Sequence, residues 1–152
     1  GITGGRPCDA LVSQVDLLPS LLDFSGVEEP GAGWEKRKTS FDRGAVTPLS
    51  LRPGRSWRGL LDGSVPSIRS SVVIENDEMT TGLHVRSLVT QTHRISIYPG
   101  EGDGEFFDLA HDPDELQNLW HSQPALRDAL IRTLLDEYSL HTPSYPVPAW
   151  NA

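Results

Sequence analysis

The sequence predicts an α+β architecture: about four short antiparallel strands packed by a C-terminal helix, preceded by a helix apolar enough to be buried against something large. Three observations predict it. From residue 67 onward, β-branched apolar runs alternate with brief turns. The last long segment repeats Leu126, Leu130 and Leu134 at four-residue spacing. Near the start, a helical stretch is apolar over much of its circumference, which suits burial against something large.

Residues 1–12 read as loop, with Gly4, Gly5 and Pro7 breaking any regular pattern. A helix is predicted over 15–25, with Asp16 as N-cap, Pro19 in the first turn and Gly26 as terminator. Val15, Leu18 and Leu22 share one of its faces, with Leu17 and Leu21 beside them. Residues 27–56 lack periodicity and read as a long surface loop in which Lys36, Arg37 and Lys38 are solvated. A short turn of helix comes next within 53–63, and Trp57, Leu60 and Leu61 have the spacing of one buried edge.

Strands are predicted at 71–76, 84–90, 94–98 and 105–109, the third with Ile95 and Ile97 on one face. Short connections between them favour an antiparallel sheet with one buried face. Asp112-Pro113-Asp114-Glu115 reads as the start of a helix over 113–120: Asp112 caps, Pro113 suits the first position, and Glu115 closes a capping box. A second helix over 123–138 carries the leucine stripe that covers the sheet. The tail from residue 141, with Pro143, Pro146 and Pro148, is expected to run extended.

The 152 residues carry a formal net charge of -8, which disfavours a nucleic-acid partner. No apolar run is long enough to span a bilayer. One cysteine, Cys8, rules out an internal disulfide, and cannot build a zinc site alone. The histidines at 84, 93, 111, 121 and 141 form no i,i+4 pair, so surface and strand-partner roles are favoured over metal ligation. Asp112, Asp114 and Glu115 lack the spacing of a calcium loop and are explained by capping. Asp16 likewise reads as a cap, not an acid catalyst. Ser56 and Ser122 have no His or Asp neighbour in sequence that would suggest a triad. The acidic run Glu75-Asn76-Asp77-Glu78 sits at the end of a predicted strand, where loops often line a cleft.

Four of these stretches together resemble a known family. GEFFDLAHDPDELQNLW over 104–120, LVSQVDLLPS over 11–20, PGRSWRGLLDG over 53–63, and the stretch that opens at Val85-Arg86-Ser87-Leu88-Val89-Thr90 occur in the order found in sulfatases of the alkaline-phosphatase superfamily. Ser20 stands where that family usually has Thr. The resemblance covers most of the chain except roughly residues 28–50, and the run at 75–77 is most similar to bacterial sulfatases, choline-sulfatases and phosphonate hydrolases.

The resemblance implies a C-terminal portion of such an enzyme. Residues 1–63 would be the end of the catalytic α/β domain with its connecting loop, and 64–152 a C-terminal α+β subdomain. The intact enzyme would hydrolyse sulfate esters, using a calcium ion and a formylglycine made from a Cys or Ser in a C/S-x-P/A-x-R motif. Cys8 is followed by Asp9-Ala10-Leu11-Val12 and lacks that motif. No catalytic residue or metal ligand is therefore assigned to this chain, which alone should be inactive. Because the family's C-terminal subdomain borders the active-site mouth, Glu75, Asp77 and Arg86 are the candidates for substrate contact; they also read as a solvated loop with a sheet-edge ion pair. Expected partners are a small-molecule sulfate ester and the remainder of the catalytic domain, with no nucleic acid and no membrane. The alternatives are a phosphodiesterase or phosphonate monoester hydrolase of the same superfamily, or a non-catalytic binding module. The compartment, cytoplasmic or periplasmic in a bacterium, is left open, as are the substrate and the oligomeric state.

Overall fold

Four strands form a meander in which each pairs only with its neighbours in sequence, in the order β1-β2-β3-β4. The structure, a computed structural model, describes Gly5 and residues 7–27, 54–78 and 80–141. Residues 28–53 of the loop expected over 27–56, and residues 142–152 of the tail, lie outside the described residues. A 3-10 turn at Gln14–Asp16 leads into α1 (Leu17–Phe24), and α2 (Arg58–Asp62) precedes the sheet. The strands are β1 (Ser71–Glu78), β2 (Leu83–Thr90), β3 (His93–Ile97) and β4 (Gly104–Asp108), and α3 (Pro124–His141) closes the order. His141 thus ends a helix and does not begin the tail.

The antiparallel register explains the core. Val73 faces Leu88, Leu88 faces Ile95, and Ile95 faces Phe106, so one apolar row crosses all four strands. Leu88, Ile95 and Phe106 are fully buried, beneath Leu130, Ile131 and the equally buried Leu134 of α3. The predicted stripe is shifted: Leu126 is partly exposed at its margin, and Ile131 packs in its place.

No helix forms over 113–120, contrary to the capping-box reading. A capping box needs the Glu115 carboxylate to return to the Asp112 N–H. That N–H donates instead to the Asp108 carbonyl at 2.8 Å, and Glu115 adopts a left-handed backbone with φ of 55°. The Glu115 carboxylate goes to Arg94, whose Nε donates to its Oε1 at 2.9 Å. Asp112 still caps, but it caps a turn: its carboxylate accepts the N–H groups of Leu116 and Gln117 at 3.1 and 2.8 Å.

Residues 118–120 then bind the edge of the sheet. Asn118 Oδ1 accepts from the Phe106 and Trp120 N–H groups, each at 3.0 Å, and its Nδ2 donates to the Gly104 carbonyl at 3.0 Å. The Leu119 N–H adds a bond to the Phe106 carbonyl at 2.7 Å. Trp120 folds over Gly104, where a Cβ would lie 2.5 Å from its ring. That position requires glycine.

Asp16 stands at the N-cap position of α1, but its side chain caps none of that helix's N–H groups, contrary to the sequence reading. Its Oδ2 accepts the Ser13 N–H at 2.7 Å, closing the first turn, while its Oδ1 accepts the Arg55 N–H at 2.8 Å and the Arg69 guanidinium. The residue is fully buried. Ser20 extends the joint, donating to the Asp16 carbonyl at 2.6 Å and accepting the Trp57 N–H at 2.9 Å. Gly54 passes so close that a Cβ would sit 2.2 Å from the Val15 carbonyl oxygen. These bonds tie α1 to the segment leading into β1.

The apolar faces of the first two helices are less covered. Of the predicted edge Trp57, Leu60 and Leu61, only Leu60 is buried; Leu61 is exposed. In α1, Leu17, Leu18 and Leu21 expose 49, 51 and 55% of their surface among the described residues. This is the apolar flank that a larger layer would cover.

Candidate substrate-contact site

Strand alternation sends Glu75 and Asp77 of β1, and Arg86 and His84 of β2, to the same side of the sheet as the core row. β1 runs through Glu78, two residues past the predicted end of the strand, so Asp77 as well as Glu75 is a strand residue. Register places Glu75 opposite Arg86 and Asp77 opposite His84. The three sequence-predicted residues therefore stand together.

Their geometry is specific. Arg86 Nη1 and Nη2 donate to Asp77 Oδ1 and Oδ2 at 2.7 and 3.1 Å, a two-pronged pair. Its Nε lies 3.6 Å from a Glu75 oxygen, and its guanidinium stands 5.6 Å from the Tyr138 ring centroid of α3. The hydrogen bonds from Arg86, then that from His84, hold the Asp77 carboxyl at about 2, well below the usual carboxylate range. In return, the Asp77 carboxylate raises the Arg86 guanidinium further from neutrality. Arg86 is consequently committed within the cluster. Glu75 and His84 are the members with half or more of their side chains exposed.

His84 is the functional candidate that sequence reading missed. Its Nδ1 lies 2.8 Å from Asp77 Oδ1. A usable signal was present: Asp77 and His84 flank a turn through Gly82, whose positive φ of 71° suits it. Counting outward from that turn pairs the two residues.

Beside the cluster, a cavity of about 180 Å³ opens between the 3-10 turn, β1 and α3. Arg69, Ser71, Glu75, Glu137 and Tyr138 contribute to its lining. Ser71 Oγ donates to Glu137 at 3.1 Å, and Arg69 is paired with Asp16, so its polar wall is largely engaged.

The opposite face of the sheet carries a second network. Arg94 binds Glu115, Glu105 at 3.1 Å and Ser96 Oγ at 3.0 Å, and lies over the Phe107 ring at 5.0 Å. Every partner is internal, which marks this network as structural. Ser56 does find a carboxylate in space, donating to Asp23 at 2.6 Å, but Arg58 is the third member at 3.0 Å, so no triad forms there. Ser122 Oγ reaches the Leu119 carbonyl at 3.3 Å. Cys8 is exposed. No group of three His, Cys, Asp or Glu suited to a metal ion occurs among the described residues, and no described helix is long and apolar enough to cross a membrane.

No family model matches the chain. Solved structures do. The 2-O GAG sulfatase BT1596 is similar over 88% of this chain and 26% of its own, with a TM-score of 0.61 at 27% identity. BT4656, solved in complex with its substrate D-glucosamine-2-N,6-O-disulfate, is similar over 83% of this chain and 24% of its own, with a TM-score of 0.61 at 18% identity. The sulfatase BT33336S-sulf, from work on glycosaminoglycan metabolism by Bacteroides thetaiotaomicron, is similar at 86% and 25% coverage, TM-score 0.56 and 16% identity. The chain spans about a quarter of the length of the solved structures it matches. In fold, this chain is similar to a portion of the bacterial sulfatases.

Proposed function

We propose that the chain is the C-terminal portion of a sulfatase that hydrolyses sulfate esters of saccharides. The observation that carries this reading is the similarity to a GAG sulfatase across 88% of the chain at 27% identity. On this reading residues 1–63 complete the catalytic domain and 64–152 form a subdomain at its side. The exposed flank of α1 supports that division, because a stand-alone binding module would leave Leu17, Leu18 and Leu21 in water.

Glu75, Asp77 and Arg86 are the substrate-side residues in this reading. Arg86 and Asp77 neutralise one another, so they orient their neighbours, and the half-exposed Glu75 is the group available to accept substrate hydroxyls. Calcium and formylglycine are the groups such an enzyme uses, and the described residues do not fit them. Cys8 lacks the surrounding motif, the Asp112 carboxylate is spent on backbone N–H groups, and that of Glu115 on Arg94. The chain's own contribution is shape and substrate contact.

The test is turnover by the intact protein, obtained from the complete reading frame, against sulfated saccharides, aryl sulfates and phosphodiesters. Sulfate release by the intact protein, and none by the 152-residue chain, is expected. Preferential cleavage of phosphodiesters or phosphonates would replace this reading with the phosphoryl branch of the superfamily.

A further inference from the structure

His84 occupies a position that a structural ion pair does not need. Both Asp77 oxygens are already bound by Arg86, and Arg86 is backed by Tyr138 from α3. Three elements, β1, β2 and α3, thus fix the carboxylate without the imidazole. His84 is added at its outer side, with 57% of its side chain exposed and no partner for Nε2 among the described residues.

The protonation pattern is set by the partners. Asp77 is ionised across the neutral range, and an ionised carboxylate only accepts hydrogen bonds. Nδ1 must therefore carry the proton of the neutral ring, which leaves Nε2 as a bare, outward acceptor. The charge of the surroundings selects what it can meet. Glu75 and Asp77 against Arg86 leave the cluster with an excess of one negative charge when His84 is neutral. An anionic group, the sulfate included, is disfavoured there, whereas an uncharged hydroxyl donor fits.

We propose that His84 contacts substrate in the intact enzyme, its Nε2 accepting a hydrogen bond from a hydroxyl of the sulfated saccharide, with Asp77 and Arg86 as its positioning residues. This rests on the sulfatase reading above. It makes His84 a specificity residue: it recognises the saccharide and takes no part in breaking the S–O bond.

Two measurements test it. In the intact enzyme, His84→Ala should lower the ratio of kcat/KM for a sulfated saccharide to that for a plain aryl sulfate by about three- to tenfold, the weight of one neutral hydrogen bond. His84→Gln, whose Oε1 can replace the acceptor, should recover part of the loss. An unchanged ratio overturns the proposal, whether both activities fall together or neither does. In the 152-residue chain, long-range ¹H–¹⁵N correlation NMR should show neutral His84 as the Nδ1–H tautomer, moving toward Nε2–H in Asp77→Asn. The Nε2–H form in the unsubstituted chain overturns the proposal independently. Absence of turnover on either substrate by the unsubstituted intact protein would instead strike the sulfatase reading, while the tautomer result stands apart from it.

Discussion

Asp16→Asn keeps the shape of a buried side chain and removes its charge. In the native joint one oxygen accepts the Ser13 N–H, and the other accepts the Arg55 N–H and the Arg69 guanidinium. An amide retains a single acceptor. If its oxygen keeps Arg55 and Arg69, its NH₂ faces the Ser13 N–H; if it turns over, its NH₂ faces Arg55 and Arg69. Neither orientation satisfies all three donors. Removing one partner of a buried ion pair costs about 3–5 kcal/mol, and the hydrogen bonds an amide retains bring the expected loss to about 3 kcal/mol. Urea unfolding followed by tryptophan fluorescence reads this directly. With a slope of about 2 kcal/mol/M, the midpoint should fall by about 1.5 M. The thermal midpoint should fall by roughly 6–12 °C. A midpoint shift below about 0.25 M at unchanged slope would refute the claim that Asp16 joins α1 to the sheet. In the double variant with Arg69→Met, the combined loss should be smaller than the sum of the single losses, because the two residues share one interaction.

Three further outcomes are expected. Gly104→Ala should destabilise the chain by about 1–3 kcal/mol, because its Cβ would press against the Trp120 ring, and chemical denaturation measures it. Glu115→Ala should cost about 1–2 kcal/mol through loss of the Arg94 pair. Glu115→Gly should be milder by about 1 kcal/mol, since only glycine adopts the left-handed backbone freely; equal losses would show that the φ of 55° carries no strain. Asp77 should titrate at about 2 in a ¹³C carboxyl NMR experiment, and return toward about 3.9 in Arg86→Met. Because its folded value is depressed, its stabilising contribution is complete above about pH 4 and is lost as pH falls through about 2.

The sheet was legible because its signal is local. Ile95 and Ile97 alternate with Arg94 and Ser96, and short turns leave the intervening strands no option but to pair with their neighbours. The candidate site was legible for the same reason: Glu75, Asp77 and Arg86 fall on one face once the β1–β2 register is set. His84 was missed because helical spacing is blind to it, its partner lying across a hairpin. The failure over 113–120 has a different origin. Asp112, Pro113 and Glu115 satisfy every local rule for a helix start, yet Arg94 on the neighbouring strand competes for the Glu115 carboxylate and wins. Such a bond spans 21 residues and leaves no periodic trace. Asp16 was misread as a cap: its carboxylate turns back to the Ser13 N–H and reaches Arg55 and Arg69, partners distant in sequence that no local rule reveals.

The Asn118 contacts bear on what the sheet can never become. An edge strand offers unpaired N–H and C=O groups to any passing chain, and is the usual starting point for fibril growth. Along β4 the offer is withdrawn: the Phe106 N–H and carbonyl and the Gly104 carbonyl are already taken by Asn118 and Leu119, and Trp120 stands over the strand's first residue. The asparagine imitates one residue of a fifth strand and the tryptophan bars a real one. Segment 118–120 therefore acts as a terminator that ends the sheet at four strands and keeps this edge from recruiting another copy of itself.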